Sequence, residues 1–144
     1  MIAQFKVTFL NEDGSVLDIQ YVDKGSKPVD PITRKDNPIA TPTKDSDQQY
    51  DYTFAGWDSE FVAAFSDTTI KATYTSSIRK YTVRYMNNSQ VLQETTAEYG
   101  TVVFYNGDIP VYTAEEAAFR YYLFKGWDKS GLVDGDKDIH AVYD

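Results

Sequence analysis

Cysteine is absent from the 144-residue chain, which excludes disulfide staples and thiolate metal sites. The absence does not choose a compartment, because cytosolic proteins and the surface proteins of Gram-positive cells can both do without it. No apolar run approaches the roughly 20 residues that a membrane-spanning helix needs. Met1 leads into Ile2-Ala3-Gln4-Phe5 with no basic stretch and no apolar stretch, so the start reads as lacking a signal peptide, and Tyr143-Asp144 as lacking a sorting signal. Histidine occurs once, as His140, and the glycines are scattered at turns, so neither a Gly-x-Ser-x-Gly element nor a phosphate-cradling loop is present. Positive charge is in deficit: 14 Lys and Arg stand against 22 Asp and Glu, a net charge of −8. Such a field repels phosphate backbones and anionic membranes, so neither nucleic acid nor membrane is expected as a partner.

Aromatic residues are abundant, with 12 Tyr and 8 Phe, and the periodic segments are dominated by Tyr, Thr and Val, which fit a pleated sheet. Tryptophan occurs only twice, each time inside the same heptapeptide pattern: Tyr52-Thr53-Phe54-Ala55-Gly56-Trp57-Asp58 and Tyr122-Leu123-Phe124-Lys125-Gly126-Trp127-Asp128. Tyr and Phe alternate at period two, so their rings share one face of a strand. The glycine breaks the alternation where a bulge would re-aim the tryptophan into a small core.

Other segments repeat in the same order. Phe5-Lys6-Val7-Thr8-Phe9 matches Tyr81-Thr82-Val83-Arg84-Tyr85, Gly25 matches Gly100, Thr43 matches Thr113, and Ile70-Lys71-Ala72-Thr73-Tyr74 matches Ile139-His140-Ala141-Val142-Tyr143. Repetition at this spacing predicts two tandem modules, residues 1–77 and 78–144, joined through the polar connector at Thr75–Lys80. In the first, Asn11-Glu12-Asp13-Gly14 is a hairpin turn. A second strand from Val16 to Val22 is expected to place Leu17, Ile19 and Tyr21 on one face. The proline-rich passage from Pro28 to Pro42 cannot feed a ladder and should run extended along a sheet edge. Module two keeps only Pro110 there, which leaves its edge less covered. Thr43–Tyr50 reads as a short helix capped by Thr43, and Thr113-Ala114-Glu115-Glu116 as a capping box opening a helix through Phe119. The expected class is therefore α+β, mostly β: two grasp-like modules, each a small mixed sheet with one short helix.

Taken together, F-x-V-x-F, Pro42-Thr43-Lys44, the doubled Tyr-x-Phe-x-Gly-Trp and the closing Ile-x-Ala-x-Tyr resemble the Listeria–Bacteroides repeat, or internalin B-repeat family. The resemblance covers nearly the whole chain and is weakest in the loops, where Asp108–Tyr112 replaces the proline-rich passage in module two. It implies a β-grasp, ubiquitin-like fold, tandem non-catalytic modules in Gram-positive surface proteins or phage virions, and no catalytic residue or cofactor to carry over.

Candidate chemistry is sparse. His140 falls on the outward phase of the last strand. Asp134-Gly135-Asp136-Lys137-Asp138 has a spacing suited to oxygen ligands for a hard cation, but Ile139 stands where a calcium loop needs glycine and no glutamate completes it. A glycosidase pair could be drawn from Asp58, Glu60, Asp128 and Asp134, but an acidic chain offers such pairs freely and no cleft-forming architecture is expected. Tyr50, Tyr99, Tyr105, Tyr112 and Tyr121 lie near loops or strand ends and form a candidate interaction surface, Tyr being rich in contact area and poor in entropy cost. Trp57, Trp127, Phe54, Phe124, Tyr52, Tyr122, Gly56 and Gly126 form the candidate structural core.

The function expected from the chain is non-enzymatic, without metal or cofactor. The main expectation is a phage virion surface component assembled in the host cytoplasm, a capsid decoration, head fibre or tail-associated module. It would bind capsid or tail proteins, or a host surface protein or glycan. The alternative is a fragment of a Gram-positive surface adhesin carrying tandem repeats.

Overall fold

The computed structural model describes residues 1–112 and 122–144. The chain forms two compact units, one from residues 1–46 and 51–77, the other from 47–50 and 78–144. Among the described residues eight strands are seen: β1 (Gln4–Leu10), β2 (Val16–Asp23), β3 (Tyr50–Trp57), β4 (Thr68–Ile78), β5 (Lys80–Asn87), β6 (Gln90–Glu98), β7 (Phe124–Trp127) and β8 (Lys137–Tyr143). They form two four-stranded sheets with matching orders, β2-β1-β4-β3 and β6-β5-β8-β7. The central strand pairs antiparallel with its hairpin partner (β1 with β2, β5 with β6) and parallel with the last strand of its unit (β1 with β4, β5 with β8).

In unit 1, Val7 and Phe9 alternate with Lys6 and Thr8, and the first pair is buried. They meet Val22, Ala64 and Ile70, with Phe5, Leu17, Trp57 and Phe61 packed around them. Fully burying a side chain such as Phe9 contributes about 1.5–3 kcal/mol. Unit 2 builds the same core from Val83, Tyr85, Val103, Val133 and Ile139, with Tyr81, Ala97, Tyr105 and Trp127 around it. The hairpin turn at Gly14 has φ +87° and closes through Gly14 N–H to the Asn11 carbonyl (3.0 Å).

Two expectations are corrected. The α+β, β-grasp class fails, because the described residues are all β and contain no helix. The segment read as a helix from Thr43 to Tyr50 is extended until Asp47, whose carboxylate accepts from the amides of Gln49 (2.9 Å) and Tyr50 (2.6 Å) and turns the chain into β3. Asp and Ser divert the backbone into such local bonds, and so short a segment gains too little to nucleate a helix. Upstream, Pro28, Pro31 and Pro42 are buried. Helix interiors reject proline, so this crossover has to be irregular. The second expected helix, Thr113–Phe119, lies outside the described residues.

The face of β2 is also corrected. A bulge between Phe9 and Leu10 opposes Phe9 to Asp18 but Leu10 to Val16, leaving Leu17 as the extra residue. A bulge inverts the phase beyond it. Leu17 still packs on the core, but Val22 is buried while Ile19 and Tyr21 face solvent.

Candidate functional site

The repeated Gly-Trp-Asp is a structural device. Gly56 and Gly126 have φ +114° and +151°, where a side chain would be strained. In unit 2 the glycine sits at a register shift between Phe124 and Gly126, which re-aims Trp127. The following aspartate clamps the neighbouring strand. Asp58 N–H donates to the Lys71 carbonyl (2.8 Å), while its carboxylate accepts the Lys71 amide (2.9 Å). Asp128 does the same with His140, at 2.9 and 2.7 Å.

Both indoles are half-buried and join rows of edge-on rings. Trp57 meets Phe9 (5.0 Å) and Phe54 (5.3 Å), and Phe54 meets Tyr74. Trp127 meets Tyr85 (4.8 Å), Tyr105 (4.9 Å) and Phe124 (5.1 Å), and Phe124 meets Tyr143. Each row ends in a pinned phenol, with Tyr74 Oη donating to Asn11 Oδ1 (2.5 Å) and Tyr143 Oη to Asn87 Oδ1 (2.8 Å). Burial raises both phenols above their ordinary range, and the asparagine bonds offset part of that rise. Tyr52 lies under the Lys44 ammonium (4.0 Å), whereas Tyr122 stacks on Tyr112 (4.2 Å).

The candidate chemical residues are directed apart. Asp134 approaches Lys137 Nζ (3.4 Å), Asp136 accepts the Thr82 amide (2.8 Å), and Asp138 grips Arg84 through two bonds of 2.8 and 3.2 Å. The Arg84 bonds hold the Asp138 carboxyl below the usual carboxylate range. Asp67 serves the Lys6 amide in unit 1 as Asp136 serves Thr82. Among the described residues no group of three or more His, Cys, Asp or Glu could hold a metal ion. His140 Nδ1 lies 3.6 Å from Asp128 Oδ2, the carboxylate that already holds its backbone amide. Asp58 and Asp128 belong to different units, each engaged in its own clamp.

Of the interaction tyrosines, Tyr105 packs on Tyr85 and Trp127 and donates to the Asp108 carbonyl, and Tyr112 stacks within its own unit. Tyr50 and Tyr99 are half-buried, and the Tyr99 amide donates to the Arg79 carbonyl (2.9 Å). Tyr121 lies outside the described residues. Other apolar side chains of unit 2 are exposed, Val91, Ile109, Val111 and Leu123 among them. Val102 bridges antiparallel to Leu132, and Phe104 follows two residues along on the same side; they are 52%, 42% and 72% exposed. The alternation Val102, Val103, Phe104, Tyr105, out and in by turns, was the available signal. The positions matching Val102 and Leu132 in unit 1, placed by the shared bonds of Gly25/Gly100 and Ala64/Val133, are Lys27 and Ala63.

No protein-family model matches the chain, and no curated protein does. A solved tandem pair, Streptococcal High Identity Repeats in Tandem (SHIRT) domains 3-4 from a cell surface protein, is similar over 96% of each chain at 15% identity, with a TM-score of 0.38. A likeness of that grade carries no argument about function.

Proposed function

We propose that the chain is a non-enzymatic pair of tandem modules belonging to a bacterial cell-surface protein and acting by binding a protein or glycan. The observation that carries the reading is how the chemistry-bearing side chains are used. The aspartates after both tryptophans, the carboxylates before both closing strands and the phenols at the ends of both ring rows serve backbone or asparagine partners at matching places in two sheets. Duplicated structural use of this kind suits a repeated scaffold that presents a surface. The strip Val102, Phe104 and Leu132 is the contact face offered by unit 2. The cell-surface setting follows the repeat pattern.

The test is accessibility. Antibody raised against the purified chain and applied to intact source cells should label them. Labelling only after lysis, with the antigen co-sedimenting with phage particles, would overturn this reading in favour of a virion component. A hydrolase screen with a His140→Ala control tests the non-enzymatic part: turnover lost in the variant would sink it.

A further inference from the structure

Asn106-Gly107 is the one Asn-Gly pair in the chain. It sits in an exposed loop of unit 2, and the structure explains why a glycine must follow the asparagine. The Tyr105 side chain folds back over residue 107 to donate its hydroxyl to the Asp108 carbonyl, and a Cβ at 107 would collide with that phenol. The glycine therefore leaves room for that phenol and is not there for a left-handed φ. The loop is pinned on its other side, where Gln93 donates to the Phe104 carbonyl (2.9 Å) and accepts the Asn106 amide (2.9 Å). Among the described residues nothing holds the Gly107 amide.

A backbone amide that is unencumbered by a side chain and by a hydrogen bond can reach the preceding asparagine's carboxamide. We propose that Asn106 is a site of spontaneous covalent modification, converting to aspartate and isoaspartate through a succinimide closed by the Gly107 nitrogen. The Gly107 amide gives its proton to solvent base and its nitrogen attacks Asn106 Cγ. The Cγ–Nδ2 bond breaks and ammonia leaves. Water then adds to either ring carbonyl and cleaves one of the two C–N bonds, so the net change is an amide plus water giving a carboxylate plus ammonium, with no redox partner. Opening to isoaspartate lengthens the main chain between Tyr105 and Asp108, the two residues joined by the Tyr105 hydroxyl. Unit 1 has no Asn-Gly pair, so the change is confined to one module.

The experiment ages the purified full chain in mildly alkaline buffer and maps its peptides by mass spectrometry, with isoaspartate methyltransferase labelling as the second readout. The peptide carrying Asn106 should gain about one mass unit and accept methyl label ahead of Asn11, Asn37, Asn87 and Asn88. Asn106→Gln, at an exposed position, should abolish both signals while keeping folded tryptophan emission. Modification of Asn106 no faster than at the other asparagines would overturn the proposal, as would modification seen only when the chain is aged in urea.

Discussion

Units 1 and 2 share a frame and differ in how they fill it. Where β1 has Phe9, β5 has Tyr85, whose buried hydroxyl donates to the Val103 carbonyl (2.7 Å). Where unit 1 has Pro28, unit 2 has Val103, whose N–H donates to the Gly131 carbonyl (2.8 Å). That extra bond draws the two segments so close that a Cβ at Gly131 would strike the Val103 carbonyl oxygen. Unit 1, with no N–H at Pro28, carries Val62 at the matching place, exposed. Where β1 and β4 oppose Thr8 and Thr69, β5 and β8 oppose Arg84 and Asp138. One frame thus tolerates an apolar and a polar filling, provided that neighbouring positions change together.

Each unit holds one tryptophan, so Trp57→Phe leaves an emitter for unit 2 alone and Trp127→Phe one for unit 1 alone. The largest effect is expected at Gly131→Val, which overpacks against backbone and should cost unit 2 about 3 kcal/mol, read as a fall in its urea midpoint with unit 1 unmoved. The reciprocal Val62→Gly should cost unit 1 less than about 1 kcal/mol. Equal losses in the two would show that the units do not differ here.

Tyr85→Phe leaves the Val103 carbonyl unsatisfied and should cost unit 2 about 1–2 kcal/mol at neutral pH. Burial raises the Tyr85 phenol. Its contribution is therefore complete below the unfolded value of about 10 and is lost as pH rises through the higher folded value. An alkaline titration of the unit 2 midpoint should be shallower in the variant, and unchanged steepness would refute this role. Tyr74→Phe and Tyr143→Phe should each cost about 1 kcal/mol, one per unit. A clear inequality would mean that the asparagine pins are not equivalent.

The smallest effect is expected for the double change Arg84→Thr with Asp138→Thr, which gives unit 2 the pair found in unit 1. Asp138 is depressed mainly by its Arg84 hydrogen bonds, so its contribution is present above the unfolded carboxylate value of about 4 and lost as pH falls through the lower folded one. The double variant should lose that acid-range slope and little else, because the pair is solvent-exposed and screened. A large loss at neutral pH would contradict this.

Much of the frame was legible in the residues. The doubled Gly-Trp-Asp marked a break in the strand's alternation, because a side chain is strained at φ +114° or +151°, and in unit 2 the register shifts there. Hairpin chemistry at Asn11–Gly14 was equally plain. The face of β2 was not, since the bulge after Phe9 carries no glycine or proline to announce it. The Thr43–Tyr50 segment looked helical by its cap and early acids, yet Asp47 used its carboxylate for a turn instead. At the surface, tyrosine's general fitness for interfaces drew attention to Tyr105 and Tyr112, which are spent on ring contacts, and away from Phe104. Strand phase, more than residue type, decides which apolar groups face water.

The parallel pairing of each unit's first strand with its last has a consequence for synthesis. Residues 4–10 cannot gain their central neighbour until residues 68–78 have left the ribosome, so the nascent first half must wait, with its core incomplete, for some sixty residues of further translation. Once that segment emerges, most of the first module can close while the second is still being made, and the two halves are spared competing for each other's similarly patterned strands.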